Sequence, residues 1–163
     1  AAGAWIEEVS LSPRFAAALD AQWLILRYEF ARSLSFERTR RREQLSERLR
    51  ALLDGGIEIA PADHAAAQAL ARDCRVEIAS MFERFDAILT LAAAGEAPEG
   101  LFGPSDLLFQ RLWTLLHLPA ITLPGLAGPR GLPIGTHPCR EPICTLISPP
   151  MSTPTTLSCS AWP

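Results

Sequence analysis

The sequence predicts an α/β fold, mostly helical with two or three short strands. Three observations carry this. Two long stretches, opening at Ser12-Pro13 and at Pro61, repeat apolar residues at three- and four-residue steps. Two short apolar runs, Ala87–Leu91 and Ala120–Leu123, read as buried strands, and Pro124-Gly125 closes the second. Between those runs lies a further helical pattern, so Phe85 to Gly135 reads as strand, loop, helix, strand and a Gly/Pro loop.

Taken in order, Ala4–Val9 alternates as a short strand, and Ser12-Pro13 opens the first helix with Ser as cap and Pro at the first helical position. That helix runs to about Leu34, with Phe15, Leu19, Trp23, Leu26, Phe30 and Leu34 as its expected buried stripe. Plain core packing explains this aromatic stripe better than a cofactor box. Phe36 to Arg42 holds four arginines, but Glu37, Glu43 and Glu47 dilute them and no aromatic interleaving follows, so it reads as a solvated connecting segment. Gln44–Asp54 is a short helix with Leu45, Leu49, Leu52 and Leu53 inward, ended by Gly55-Gly56. Ile57–Ile59 is an extended link.

Pro61 opens the second long helix, with Asp63 in its first turn and Ala66, Leu70, Cys74, Ile78, Met81 and Phe85 inward. Cys74 reads as a small core residue and His64 as a surface one. After the first strand, Gly95, Pro98, Gly100, Gly103 and Pro104 mark an irregular loop. Ser105 or Asp106 caps a helix from about Leu107 to His117, stopped by Pro119. The second strand follows. Gly128, Pro129, Gly131 and Pro133 then make a turn before Ile134.

At 163 residues and 48% hydrophobic, the chain is one domain with ample apolar content for a core. A net charge of -3 gives no reason to expect nucleic acid as a partner. Leu112–Leu126 is broken by Pro119 and Pro124, so no membrane span is expected. Trp5-Ile6-Glu7-Glu8 interrupts any signal-peptide core, and four cysteines without framework spacing do not argue for secretion. The expected setting is cytoplasmic. Opening as Ala-Ala-Gly, without a Met and mid-pattern, the chain reads as a piece of something longer.

Few residues present themselves for chemistry. His137, Cys139, Cys144 and Cys159 lack the short ligand pairs of a closed zinc site, so no metal is expected. Glu96 and Glu99 flank Pro98 on a loop and read as solvated carboxylates. His117 ends a helix, where a cation is welcome, and reads as a cap rather than a base.

The ordered series FDAILT, GEAPEG, FQRLWTLL, LPAITLP and GLPIG, spread over Phe85–Gly135, resembles the C-terminal part of the amidase-signature family. With the upstream residues, the resemblance covers about Ala1 to Gly135. It implies a fragment of that family's large mixed-sheet fold, and a parent that cleaves carboxamide C–N bonds through an acyl-serine intermediate, using two serines and a lysine. This chain has no Gly/Ser-rich loop, and all fifteen of its basic residues are Arg. A guanidinium stays protonated and cannot cycle as a base. No catalytic residue and no cofactor is therefore assigned, and the chain is expected to be inactive by itself. The resemblance puts Phe109 and Trp113, four apart on one helix, near the substrate funnel, so they are candidate pocket-lining residues.

Residues 136–163 do not fit the resemblance. They carry six prolines, many Ser and Thr, and only Arg140 and Glu141 as charges. They read as a tail created by a reading-frame shift near Thr136. The coding DNA tests this: the idea fails if neither alternative frame encodes a strand followed by a helix.

Two classes of function follow. One is the C-terminal portion of an amidohydrolase, whose partner is the missing N-terminal part, or a second copy through self-association, and whose parent substrate is a small amide. The alternative is a non-catalytic helical interaction module or a decayed gene product.

Overall fold

The computed structural model describes residues 5–97 and 108–139. The elements are α1 (Pro13–Ser33), α2 (Ser35–Arg40), a 3₁₀ turn (Arg42–Gln44), α3 (Glu47–Ile57), α4 (Pro61–Met81), β1 (Ile88–Leu91), α5 (Leu108–Leu115), β2 (Leu123–Ala127) and β3 (Pro133–Cys139). Helices dominate. The described strands form one antiparallel sheet in the order β1-β3-β2, where a mixed sheet was expected.

The centre of the molecule is α1, which packs against α3, α4 and α5. Pro13 and Pro61 stand at the first positions of α1 and α4, as their fixed φ allows. The buried face of α1 is Phe15, Ala18, Ala21, Ile25 and Ala31, which keeps only Phe15 of the expected aromatic stripe. Trp23 and Phe30 are each 43% exposed. On α4 the buried residues are Ala67, Ala71, Cys74 and Ile78, and Ala66 points outward. The reason is steric. Alanines at three- and four-residue steps let the two helix axes approach, which a Trp or Phe at the seam would prevent. Trp113, Leu115, Leu116 and Cys139 close the same core from α5 and the sheet.

Gly55 and Gly56 do not end α3; the helix runs through them to Ile57, so the extended link expected there is absent. Gly56 is buried against α1, where a Cβ would collide with the Arg27 carbonyl and the Ala31 side chain. The pair therefore serves close packing rather than a left-handed cap. Ser46 caps the other end, accepting from Leu49 N at 3.3 Å.

The stretch expected to be a solvated connection is helical: Arg38 N bonds Leu34 O at 2.9 Å, carrying the helix past the bend at Leu34. Arg40, Arg41 and Arg42 are exposed, while Arg38 is half-buried. Residues 5–10 are not a strand. Among the described residues no strand pairs with them. They are held by Trp5 stacking on Phe85, with centroids 5.8 Å apart, and by Arg84 donating to Glu7 at 3.1 Å.

The second expected strand is displaced. Ala120 makes only an isolated bridge to Cys139, and β2 begins at Leu123 and runs through Pro124 and Gly125, which were expected to close it. As an edge strand with a bulge between Pro124 and Leu126, β2 tolerates the missing proline donor. The central strand β3 continues through Thr136 to Cys139, four residues into the expected tail, because β1 and β2 pair with it from both sides. Residues 140–163, the loop at 98–107 and the expected cap at Ser105 or Asp106 lie outside the described residues.

Candidate functional site

The region that carries the expected pocket is the end of α5 against the sheet. Trp113 is 6% exposed and belongs to the core, yet it also walls a shallow hollow of about 370 Å³ with Gln110, Thr114, Leu118, Ala120 and Thr122. Phe109, one turn earlier, is half-buried and does not line this hollow. The structure thus brings one of the two candidate residues to a concave surface.

Two arginines fix α5. Arg111 donates to Gln22 Oε1 at 2.7 Å and to the Leu19 carbonyl at 2.8 Å, tying α5 to α1. Arg75, from α4, donates through Nε and NH2 to the Leu115 carbonyl at 3.0 and 2.8 Å, and its NH2 lies 3.0 Å from His117 Nε2. Burial, followed by the nearby Arg72, lowers the Arg75 pKa from its ordinary value. Sequence reading missed both roles, although a guanidinium inside an apolar helix such as LFQRLWTL calls for an acceptor.

The end of α5 is a Schellman turn. Leu118 N bonds Trp113 O at 3.1 Å and His117 N bonds Thr114 O at 3.2 Å. His117 occupies the left-handed position with φ 60°, where glycine is unstrained. It caps the helix, as expected, but by backbone conformation rather than by charge, and it ends the helix before Pro119. His117→Gly is expected to be more stable than His117→Ala by about 1 kcal/mol in urea denaturation, because both lose the Arg75 contact and only glycine relieves the strain.

Glu96 is not a solvated loop carboxylate. Its side chain is 6% exposed and accepts from Arg130 N at 2.9 Å, Arg130 Nε at 2.9 Å and Leu132 N at 3.1 Å. Arg130 NH2 also donates to the Ala97 carbonyl at 2.6 Å. The carboxylate thereby holds the β2–β3 turn, in which Gly131 N bonds Gly128 O at 2.9 Å and Gly131 has φ 80°. The side-chain hydrogen bond from Arg130 lowers the Glu96 pKa below its ordinary 4.5. A depressed carboxylate contributes stability above its unfolded pKa, and that contribution fades as pH falls through the folded value. Melting Glu96→Gln beside the parent should therefore show the largest gap at pH 7 and a gap that narrows as pH falls below the ordinary carboxylate range.

The chemical inventory is short. The sequence has no lysine. Cys74 and Cys139 are buried free thiols; burial raises both, Cys139 to about 11, which keeps them protonated and unreactive at neutral pH. His64 is less exposed than expected: it stacks on Tyr28, with centroids 4.0 Å apart, and its Nε2 lies 3.3 Å from Glu29 Oε1. Among the described serines, Ser46 caps α3, Ser80 donates to Glu77 O and the Ser12 hydroxyl is buried without a partner. None is bonded to a base. Among the described residues no group of three or more His, Cys, Asp or Glu could hold a metal ion, and no helix is long and apolar enough to cross a membrane.

No protein-family profile matches the chain, and no curated protein does. Solved structures do. An amidase crystal structure superimposes with a TM-score of 0.74 at 23% identity, over 84% of this chain and 34% of that one. A structure described as a vestigial protein complex bearing on the origins of an s-triazine catabolic enzyme matches at 0.71 and 21%, over 83% of this chain and 33% of that one. A bacterial aryl acylamidase of the amidase signature family matches at 0.57 and 20%, over 78% and 30%. The chain spans about a third of the length of the solved structures it matches. In fold, this chain is similar to one third of an amidase.

Proposed function

We propose that the chain is the C-terminal portion of an amidohydrolase that hydrolyses carboxamide C–N bonds through an acyl-serine intermediate, and that it is inactive by itself. The observation that carries this reading is the match to an amidase fold over 84% of this chain but 34% of the other, in a sequence without any lysine. In this reading the chain supplies support and pocket wall. Trp113 contributes the wall beside Thr114 and Leu118, and Phe109 backs it from the preceding turn. The serine that attacks the amide carbon, and the base that takes its proton, come from the absent N-terminal part.

The surface supports a need for that part. Leu89 and Leu91 share one face of β1 and are 54% and 44% exposed, and Leu126 of β2 is 53% exposed. Among the described residues β1 and β2 are edge strands, with backbone donors and acceptors open along their outer sides. A polypeptide carrying the remaining two thirds of the fold would cover both. Alone, the chain should self-associate or aggregate, and a monodisperse, cooperatively melting monomer would contradict this.

The test is to mix the chain with an N-terminal amidase portion bearing the lysine and the Gly/Ser-rich loop, and to assay ammonia release from simple amides. Activity in the mixture, absent from either part, supports the proposal. Turnover by this chain alone overturns it.

A further inference from the structure

The corner between α2 and α3 concentrates positive charge that the chain as a whole lacks. Eight of the fifteen arginines lie between residues 27 and 54, against five carboxylates, in a protein of net charge -3. Folding gathers four of these guanidiniums around Asp54-Gly55. Arg42 takes both oxygens of Asp54, at 2.8 and 2.5 Å. Arg27 reaches over from α1, its guanidinium occupying the space beside Gly55. Arg38 from α2 and Arg50 from α3 bring their charges close enough to be felt at the same carboxylate.

One acceptor cannot answer four donors. Both Asp54 oxygens face Arg42, and Arg27, Arg38 and Arg50 form no ion pair among the described residues. Arg38 Nε is buried without a hydrogen-bond acceptor. The C-terminal end of α3 contributes about half a negative charge here, and Arg32 already uses part of it by donating to the Gly56 carbonyl at 3.3 Å. Arg27, Arg38 and Arg50 therefore add positive charge beside a carboxylate whose two oxygens Arg42 already occupies.

We propose that this corner binds a dianionic phosphate group, free or carried on a larger molecule. Guanidinium forks match the paired oxygens of a tetrahedral oxyanion, and a dianion cancels the surplus that Asp54 leaves. In the unliganded protein Asp54 acts as an internal competitor for Arg42. Sequence reading could not find this corner, because Arg27 and Arg50 join the basic stretch only when α3 folds back along α1. The proposal does not depend on the amide-hydrolase reading.

The experiment is calorimetric titration of the full chain at pH 8 in chloride buffer, with inorganic phosphate, a phosphoserine peptide, acetate and a short DNA duplex as probes. Saturable one-to-one binding of phosphate or phosphopeptide is expected, with acetate not binding. Tighter binding of the peptide assigns a carried phosphate, and equal binding assigns the free ion. Arg38→Gln and Arg50→Gln should each weaken binding about tenfold, while Asp54→Asn, which frees the Arg42 fork, should tighten it several-fold. Arg14→Gln, remote in sequence and paired with Glu77, should change nothing. Circular dichroism checks that each variant keeps its helices; should the arginine variants unfold, the Asp54→Asn tightening decides. Absence of saturable binding, indifference to Asp54→Asn, or duplex binding that ignores single substitutions and falls steeply with salt would overturn the proposal.

Discussion

Ile78→Ala should cost about 3 kcal/mol of stability, measured by urea denaturation of the full chain in whichever oligomeric state it occupies. Ile78 is 1% exposed and sits where α4 meets α1 and the sheet, in one cluster with Ala18, Ala21, Ile25 and Cys139. Truncation removes three carbons from a buried side chain of the core cluster. The surroundings relax only partly into such a cavity, so the loss lies inside the range of about 2–5 kcal/mol seen for this change. Val76, two residues away on the same helix, is 74% exposed. Val76→Ala should leave stability unchanged or slightly raised, since alanine is the better helix former. Equal losses from both substitutions would mean that α4 does not present Ile78 to the core.

Gly56→Ala should destabilise by about 1–2 kcal/mol, and the neighbouring Gly55→Ala should not. Two effects compete at each position. Alanine inside a helix gains about 1 kcal/mol over glycine. At Gly56 a Cβ meets the Arg27 backbone carbonyl and the Ala31 Cβ, neither of which can move without shifting α1. Overpacking of that kind costs about 1–3 kcal/mol or more, so the clash wins. At Gly55 the Cβ meets only the Arg27 guanidinium, the far end of a flexible side chain. That end can swing aside, so helix propensity wins. Denaturation of the two single variants separates these outcomes. If Gly56→Ala proves as stable as Gly55→Ala, the α1–α3 seam is looser than described.

Ile78 was legible in the sequence as a buried position, and Gly56 marks where sequence reading stopped. The starts of α1 and α4 were legible because Pro13 and Pro61 act locally, through their own fixed φ. Which face of α1 turns inward was not. Apolar residues surround so much of that helix that periodicity favoured Leu19, Trp23 and Leu26, while its neighbours favoured the face of Ala18, Ala21 and Ile25, whose alanines permit close approach. The dipeptide Gly55-Gly56 was read as a stop signal because helix ends are the commonest use of glycine, and close helix contact leaves no trace in local sequence.

One expected strand was found, β1 inside the Ala87–Leu91 run, and the other strand readings failed for a related reason. Whether Ala4–Val9 or Pro133–Cys139 is a strand depends on what lies alongside. Among the described residues the first has no neighbouring strand and the second has two. At the candidate site, the resemblance named Phe109 and Trp113, and of the two only Trp113 borders the hollow. The clamps that build the region were not anticipated, because Arg75 and Leu115 are 40 residues apart, and Glu96 and Arg130 are 34 apart.

By itself the sequence determined where the two long helices α1 and α4 begin, that an apolar helix stands between strands, and that the chain holds no lysine. These follow from local spacing, proline geometry and composition. Only the tertiary structure decided which helix faces meet, which segments pair as strands, and that Glu96 and Arg75 clamp segments far along the chain. Packing and hydrogen bonding join residues distant along the chain, and no local pattern specifies the geometry in which they meet.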